Sequence, residues 1–169
     1  QNLITLDSSG NLTKLNTNNG RLYWQLNVTG SLYAHDTDFF TSSDVVIQDN
    51  DIIFGAKSSI FSFNLQNGFL NWQVKISSSL NPIIHENNVF VISNDGYFIN
   101  LNRESGKVIW STNILKILKK KKQMTEITGF VMGSGKIYSI TSNGYLVVSS
   151  AETGKVEYFT KIGDKIISS

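Results

Sequence analysis

The apolar residues of this chain come in short runs that polar and glycine-containing segments separate. The runs are rich in Ile, Val, Phe and Tyr, a composition that is typical of β-strands. Some of them, such as Val89–Ile92, show no alternation between apolar and polar positions. Strands of that kind are expected to be buried on both faces. The pattern therefore predicts an all-β fold whose sheets are covered on both sides.

One motif recurs four times along the chain. In each copy an aromatic residue follows a glycine by four positions, and the glycines are 48, 38 and 48 residues apart. The copies are Gly20 with Trp24, Gly68 with Trp72, Gly106 with Trp110, and Gly154 with Tyr158. Each repeat contains four short apolar runs, and four antiparallel strands in roughly 40 residues are typical of one propeller blade.

The spacing between glycine and aromatic residue is the same in all four copies of the motif, which suggests a structural role for both residues. A glycine at the end of a polar loop fits a left-handed turn that a β-carbon would strain. A large aromatic ring on the last strand of a blade can be buried against the neighbouring blade. We therefore predict that these four glycines and four aromatic residues are blade-docking residues.

The repeats extend upstream of this motif. Val45–Phe54, Ile83–Ile92 and Val131–Ile140 align without gaps, and on this alignment Gln1 lies opposite Asn87. The first repeat therefore lacks its first strand. The chain is predicted to be a single repeat domain, a partial β-propeller of about four four-stranded antiparallel blades.

The predicted blades and the insertions between them follow from the alignment. Blade one (partial) spans 1–28, blade two 44–76, blade three 82–114 and blade four 129–162, with inter-blade insertions at 29–43 and 111–128. Because propellers have about four to eight blades, two alternatives remain for the ring. It is completed by further blades of a larger protein, or by a second copy in a homo-oligomer.

Composition excludes several kinds of chemistry. The absence of Cys excludes disulfides, thiol catalysis and Cys-based zinc sites. The net charge of +2 does not favour a nucleic-acid partner. The acidic residues are scattered in turns. His35 is assigned to a solvated loop. His85 aligns with Ile47 on the first strand of a blade, where it is predicted to face the central channel. We expect no catalytic residue, no metal and no cofactor in this segment.

The two insertions are the candidate binding site. Both join the last strand of one blade to the first strand of the next, so they are predicted to lie on the same face of the disc. Loops that a rigid scaffold holds in place often carry binding residues. The predicted partner-binding residues are Tyr33, Phe39 and Phe40 in the first insertion, and Ile117, Leu118, Lys119, Lys120, Lys121 and Lys122 in the second. Alternatively, the loops fold back on their own blades, or the lysines make a peripheral contact with anionic lipid head groups.

The end of each repeat resembles the tryptophan-docking signature of quinoprotein-type (PQQ-like) β-propeller repeats, best seen in Leu101–Trp110 and Ser150–Tyr158. Within that family the chain is most similar to BamB-type outer-membrane assembly lipoproteins, on Thr128–Val131, Ser142–Leu146 and the short blades. The resemblance implies a non-enzymatic periplasmic scaffold that supports outer-membrane β-barrel assembly. It also implies a protein partner of the kind formed by BamA-type periplasmic domains.

Two rival functions remain for a chain with these repeats. It can be a fragment of a quinone- and calcium-dependent dehydrogenase, because such enzymes carry the same repeats. It can also be a sensor propeller that binds peptides or carbohydrates. Fold alone does not separate these functions.

Overall fold

The computed structural model describes residues 1–29, 40–56, 58–118 and 125–163. Within these ranges fifteen strands form four antiparallel sheets, and each sheet is one blade. Blade one contains β1 (Asn2–Leu6), β2 (Asn11–Asn16) and β3 (Leu22–Asn27), and blade two contains β4 (Val46–Gln48), β5 (Asp51–Ala56), β6 (Ser59–Asn64) and β7 (Leu70–Val74). Blade three contains β8 (Ile83–His85), β9 (Asn88–Ile92), β10 (Tyr97–Asn102) and β11 (Val108–Asn113), and blade four contains β12 (Ile127–Gly133), β13 (Lys136–Thr141), β14 (Tyr145–Ser150) and β15 (Val156–Lys161).

Each sheet is a simple meander, because strands that are consecutive in the chain are also neighbours in the sheet. Blade one has three strands, and the other three blades have four each. A short 3₁₀ helix, Ile114–Leu118, follows β11. The predicted fold class, an all-β partial propeller whose first blade lacks its first strand, is confirmed.

The gapless alignment of the second repeat is wrong by one residue. Across the second hairpin of blade two, Gly55 pairs with Ile60, whereas across the same hairpin of blade three Ile92 pairs with Phe98. The hairpin of blade two is thus one residue shorter. A shift of one residue exchanges the two faces of a strand, so the shorter hairpin changes which side chains of β4 and β5 are equivalent to those of the other blades.

The correction also changes the position assigned to His85. His85 pairs with Asn88 at the end of its hairpin, and Gln48 pairs with Asp51 at the end of the equivalent hairpin. His85 therefore corresponds to Gln48 and not to Ile47. Its side chain is exposed at the end of β8.

The hydrophobic core consists of three clusters, and each lies between two adjacent blades. Along β9, Val89 and Val91 belong to the cluster shared with blade two, whereas Phe90 and Ile92 belong to the cluster shared with blade four. Side chains of one strand point alternately to its two faces. Both faces of β9 are therefore buried, which explains the unbroken apolar run in the sequence.

The three clusters have similar composition. The buried members of the first are Leu12, Val28, Ile52, Phe54, Ala56, Phe61 and Phe63; those of the second are Ile53, Ile60, Trp72, Val89, Val91, Ile99 and Leu101; those of the third are Phe90, Ile92, Phe98, Ile114, Ile137, Val147 and Ala151. Since every cluster draws on two sheets, no blade has a complete core of its own.

At each of the three interfaces, the tryptophan ring of one blade lies against the motif glycine of the next. The pairs are Trp24 with Gly68, Trp72 with Gly106, and Trp110 with Gly154. The three glycines have φ angles of +74°, +67° and +70°. A β-carbon built on any of them would lie 2.5–2.9 Å from a ring atom of the tryptophan, which is too close for any side chain. Glycine is therefore required both by the backbone conformation and by the ring.

Trp72 makes the best-defined of these contacts. It is 7% exposed, and its indole Nε1 donates a hydrogen bond of 2.7 Å to the carbonyl oxygen of Arg103. The equivalent bond, from Trp24 Nε1 to the carbonyl oxygen of Leu65, is longer at 3.3 Å. A buried indole N–H usually requires such a partner, so the loop of the next blade is positioned by the ring through both packing and hydrogen bonding.

The side chain of Arg103 ties blade three to blade two. Its Nε and Nη2 donate to carboxylate oxygens of Asp51 at 2.7 Å and Asp49 at 3.0 Å, and Nη2 also donates to the carbonyl oxygen of Gln48 at 2.9 Å. Partial burial lowers the pKa of Arg103, but the hydrogen bonds from the guanidinium to Asp51 and Asp49 outweigh it and raise that pKa above its ordinary value. The guanidinium therefore remains charged while it holds the two blades together.

We predict that Trp72→Ala destabilises the chain by about 3–5 kcal/mol, because it removes a large buried ring and leaves a cavity between blades. The measurement is the free energy of unfolding from a urea titration. Phe69→Ala, in the same blade, is the matched control, since Phe69 is 73% exposed. Equal stability of the two variants would contradict the position of Trp72 between the blades.

We predict that Gly106→Ala destabilises the chain more than Gly135→Ala. Both glycines have left-handed backbones, with φ of +67° and +71°, so each alanine introduces roughly 1–2 kcal/mol of backbone strain. Only at Gly106 would the new methyl group also meet Trp72, at 2.7 Å, which adds about 1–3 kcal/mol for overpacking. Thermal or urea unfolding of the two variants measures the difference, and no difference would mean that the ring moves aside freely.

Candidate functional site

The meander topology places all connections between blades on one rim of the molecule, together with the second hairpin turn of each blade. Just after the last strands of blades one, three and four, a backbone N–H donates to the carbonyl oxygen of a turn glycine: Val28 to Gly10, Ile114 to Gly96, and Ile162 to Gly144, at 2.8–3.0 Å. We call this surface the loop rim and define it by its described residues, 7–10, 29, 40–43, 77–82, 93–96, 111–118, 125–126 and 141–144. The opposite surface, the base rim, carries the first hairpin turns and the loops with the motif glycines.

The second hairpin turns of blades one, three and four share one local design. A glycine with a φ of +75° to +79° ends each turn at Gly10, Gly96 and Gly144, as left-handed turns require. In blade one the carboxylate of Asp7 accepts hydrogen bonds from the side chain and backbone N–H of Asn11, each at 2.9 Å. These bonds, first of all the one from the Asn11 side chain, lower the pKa of Asp7. The turns are thus fixed by their own residues.

The first insertion is held at both ends. After β3, the 29–43 segment returns to the core at Phe40, whose partly buried ring packs on the first core cluster and lies 3.5 Å from the position of a β-carbon on Gly10. Ser43 is buried and exchanges two hydrogen bonds with Gly55 of β5, at 2.8 and 2.9 Å. Phe40, predicted to bind a partner, therefore anchors its loop. Tyr33, Phe39 and His35 lie outside the described residues.

The second insertion also begins on a buried anchor. Ile114 is fully buried in the third core cluster, and the next residue, Leu115, lies over Gly96. The backbone N–H of Lys116 donates to the side chain of Asn113 at 2.9 Å, which caps the short 3₁₀ helix. Ile117 and Leu118 belong to the backbone of that helix. The lysines Lys119, Lys120, Lys121 and Lys122 lie outside the described residues, so the helix shows only where this loop leaves the core.

A polar cleft of about 150 Å³ opens on the loop rim where the connection from blade two to blade three passes the end of the first insertion. Its lining is rich in hydroxyl and amide groups, from Thr41, Ser42, Ser78, Ser79 and Asn94. Ser78 Oγ donates to the carbonyl oxygen of Ile92 at 2.7 Å, and Ser79 bonds Asn94 through its backbone N–H at 3.0 Å. The walls of the cleft are therefore fixed by hydrogen bonds.

Sequence reasoning missed this cleft. The signal for it was present in two short hydroxyl-rich runs, Thr41–Ser43 and Ser77–Ser79, which both precede the first strand of a blade. Such runs are common in surface loops, and nothing in the sequence indicates that the two lie side by side. Their proximity follows from the stacking of blade two between its neighbours.

Nowhere in the described ranges do three or more His, Asp or Glu side chains come together in a way that suits a metal ion. Among the same residues no helix has the length and apolar composition that crossing a bilayer requires. The ion pairs of Arg103 with Asp49 and Asp51 lie on the base rim and tie two blades together.

The fold is shared with solved structures of several kinds. BamB from Moraxella catarrhalis is 16% identical, with a TM-score of 0.73 over 95% of this chain and 50% of that chain. The computationally designed Ika8 protein is 14% identical, with a TM-score of 0.73 over 97% of this chain and 47% of that one. Quinohemoprotein alcohol dehydrogenase from Comamonas testosteroni is 19% identical, with a TM-score of 0.60 over 71% of this chain and 21% of that one.

At these identities the structural matches concern the fold alone, and the chain spans about half the length of the first two structures. No curated protein matches the sequence significantly. The family model described as outer membrane protein assembly factor BamB, however, matches residues 1–112, which is more than half of the chain. The predicted resemblance is thus confirmed, and the chain belongs to the family of the outer membrane protein assembly factor BamB.

Proposed function

We propose that this chain is part of a non-enzymatic scaffold that binds a protein partner during the assembly of outer-membrane β-barrel proteins. The observation that carries the proposal is the match of residues 1–112 to the family described as outer membrane protein assembly factor BamB. A scaffold of this family would work in the periplasm, in association with the outer membrane. The partner would be the BamA-type periplasmic domains.

The loop rim is the part of the chain that suits such a role. The first insertion returns to the core at the partly buried Phe40, and the second leaves it from the buried Ile114. Asp44 and Asn81, which precede the first strands of blades two and three, exchange two bonds of 2.9 Å. A partner that binds to fixed segments loses less affinity to their ordering, so the described part of the loop rim would supply a preorganised surface.

The two insertions offer complementary kinds of contact. The first carries Tyr33 and Phe39, and aromatic residues are favoured anchors in protein interfaces. The second carries four consecutive lysines, Lys119–Lys122. A cluster of positive charge attracts an acidic surface and speeds association with it. We infer that the partner presents an acidic patch beside an apolar pocket.

A matched pair of double variants tests this surface. Lys120→Ala with Lys121→Ala removes two charges from the second insertion, and Lys107→Ala with Lys155→Ala removes two exposed lysines from the base rim. At about 0.2–1 kcal/mol for each surface charge, the first variant should weaken binding to purified BamA periplasmic domains by roughly 2- to 30-fold. The control variant should bind like the parent, and the difference should shrink at high salt.

Biolayer interferometry gives the affinities, and circular dichroism checks that both variants are folded. Phe39→Ser is the matching variant of the first insertion and is preferred to a change at Phe40, whose ring packs against the core. Equal loss of affinity in the insertion variants and the base-rim variant would contradict the proposed surface. Binding to anionic lipid vesicles without binding to the protein partner would replace the scaffold proposal with a peripheral membrane contact.

A second candidate function is supported by the fold that the chain shares with quinohemoprotein alcohol dehydrogenases over about 71% of its length. In that case the chain would belong to a quinone- and calcium-dependent enzyme. Isothermal calorimetry with pyrroloquinoline quinone and Ca²⁺ separates the two functions. The scaffold proposal expects no binding heat, and tight binding of the quinone would overturn it.

A further inference from the structure

Within the described ranges, four buried side-chain atoms lack a hydrogen-bond partner, and all four lie at one interface between blades. On blade three they are Asn100 Oδ1 and Trp110 Nε1, and on blade four they are Ser139 Oγ and Ser149 Oγ. Asn100 is 3% exposed, and the two serines are fully buried. Buried polar groups without partners are rare in folded proteins, so their concentration between two blades is unusual.

Strand pairing places these four side chains on the facing sides of blades three and four. Residues directly opposite one another in a sheet share a face. Trp110 is opposite Asn100, and each of the other three is opposite a buried member of the third core cluster. The pairs are Asn100 with Phe90, Ser139 with Val147, and Ser149 with Ile137. The unpaired atoms therefore belong to the interface that this cluster fills.

Blade four carries the two serines where the other blades carry apolar side chains. The ends of the first hairpins align blades two, three and four, since Asp51, Asn88 and Lys136 begin equivalent strands. The apolar residues at the two positions belong to the first and second core clusters. The equivalent sets are Phe54, Val91 and Ser139 on the second strand, and Phe63, Leu101 and Ser149 on the third.

Aromatic rings of blade three take up part of the space that the smaller serines leave. The rings are those of Phe90 and Phe98. The corresponding residues of blade two are the smaller Ile53 and Ile60. Phe98 also meets Trp110 edge-on, with the ring centroids 4.6 Å apart. The rings close the interface by apolar contact, but they offer neither a carbonyl nor a carboxylate oxygen to a serine hydroxyl.

At the other two interfaces the equivalent polar groups have partners. The residue opposite the docking tryptophan is Lys14 in blade one and Ser62 in blade two. Lys14 donates to the loop of blade two at 3.0 Å, and the hydroxyl of Ser62 accepts from the side chain of Asn71 at 3.1 Å. Arg103 reaches from blade three to blade two, whereas its equivalent in blade four, Ala151, has no polar side chain.

We propose that the interface between blades three and four is a joint that opens while the two sheets stay folded. Opening lets water bond the amide of Asn100, the indole of Trp110 and the two hydroxyls, so hydrogen bonds are gained that the closed interface lacks. Opening either of the other interfaces would instead break hydrogen bonds, among them those of Lys14 and Trp72.

The joint lies beside the second insertion. Ile114, from which that insertion leaves the core, belongs to the same cluster as the joint. Opening would therefore also shift the start of the insertion relative to blade four. Segments of low local stability are often those that move in binding or switching. The proposal is independent of the proposed function, because it rests on the packing between two blades.

Single cysteine variants of the whole chain test the joint, since the sequence contains no other cysteine. Ser149→Cys places a thiol in the joint, and Ser62→Cys places one in the equally buried interface between blades two and three. Labelling with N-ethylmaleimide is followed by mass spectrometry in buffer and in low urea. Local opening should make Ser149→Cys react about tenfold faster than Ser62→Cys, with little dependence on urea. Equal rates would overturn the proposal, as would a rate at Ser149→Cys that rises with urea as global unfolding does.

A second substitution separates opening of the joint from unravelling of blade four as a whole. Ser139→Ala removes an unpaired hydroxyl without adding bulk, so it should slow the labelling of Ser149→Cys by roughly fivefold or more. Ser111→Ala, at an exposed serine of β11, is the matched control and should leave that rate unchanged. A labelling rate that does not respond to Ser139→Ala would mean that the unpaired hydroxyl does not drive the opening, and the joint would be ruled out.

Discussion

The contact between an aromatic ring on the last strand of one blade and a left-handed glycine in the next is the constraint on which the structure depends. It recurs at all three interfaces, with a hydrogen bond from the indole to a backbone carbonyl at two of them. At the third, Trp110 packs on Gly154, but its Nε1 has no partner among the described residues. Packing against the glycine is therefore the common element, and the hydrogen bond is an addition to it.

Each interface also has polar contacts of its own. Between blades one and two, the buried Lys14 donates to the carbonyl oxygen of Leu65 at 3.0 Å, the same oxygen that accepts from Trp24. Between blades two and three, Arg103 reaches Asp51 and the adjoining turn. A buried charge without a partner is costly. These contacts therefore favour the observed order of blades over another order in which the same apolar faces would meet.

The stacking of the blades also determines where the connections between them lie. Because every blade is a four-stranded meander, or the last three strands of one, the connections between blades meet on a single rim. The interfaces between blades hold one end of each insertion, since Phe40 packs against the first core cluster and Ile114 belongs to the third. The stability of the interfaces and the position of the loop rim are thus linked, because a change that loosens an interface also loosens the residues that hold the neighbouring loops.

The sequence by itself determined the repeat, the strand composition of each blade and the turn glycines, because apolar patterning and turn chemistry are local properties of the chain. It also predicted that Trp24, Trp72 and Trp110 face a neighbouring blade, and the structure places each of them there. Only the tertiary structure decided the short hairpin of blade two, the burial of Lys14, the role of Phe40 as an anchor and the hydroxyl-lined cleft. These features depend on strand register and on contacts between residues far apart in the chain, and no local pattern encodes such contacts.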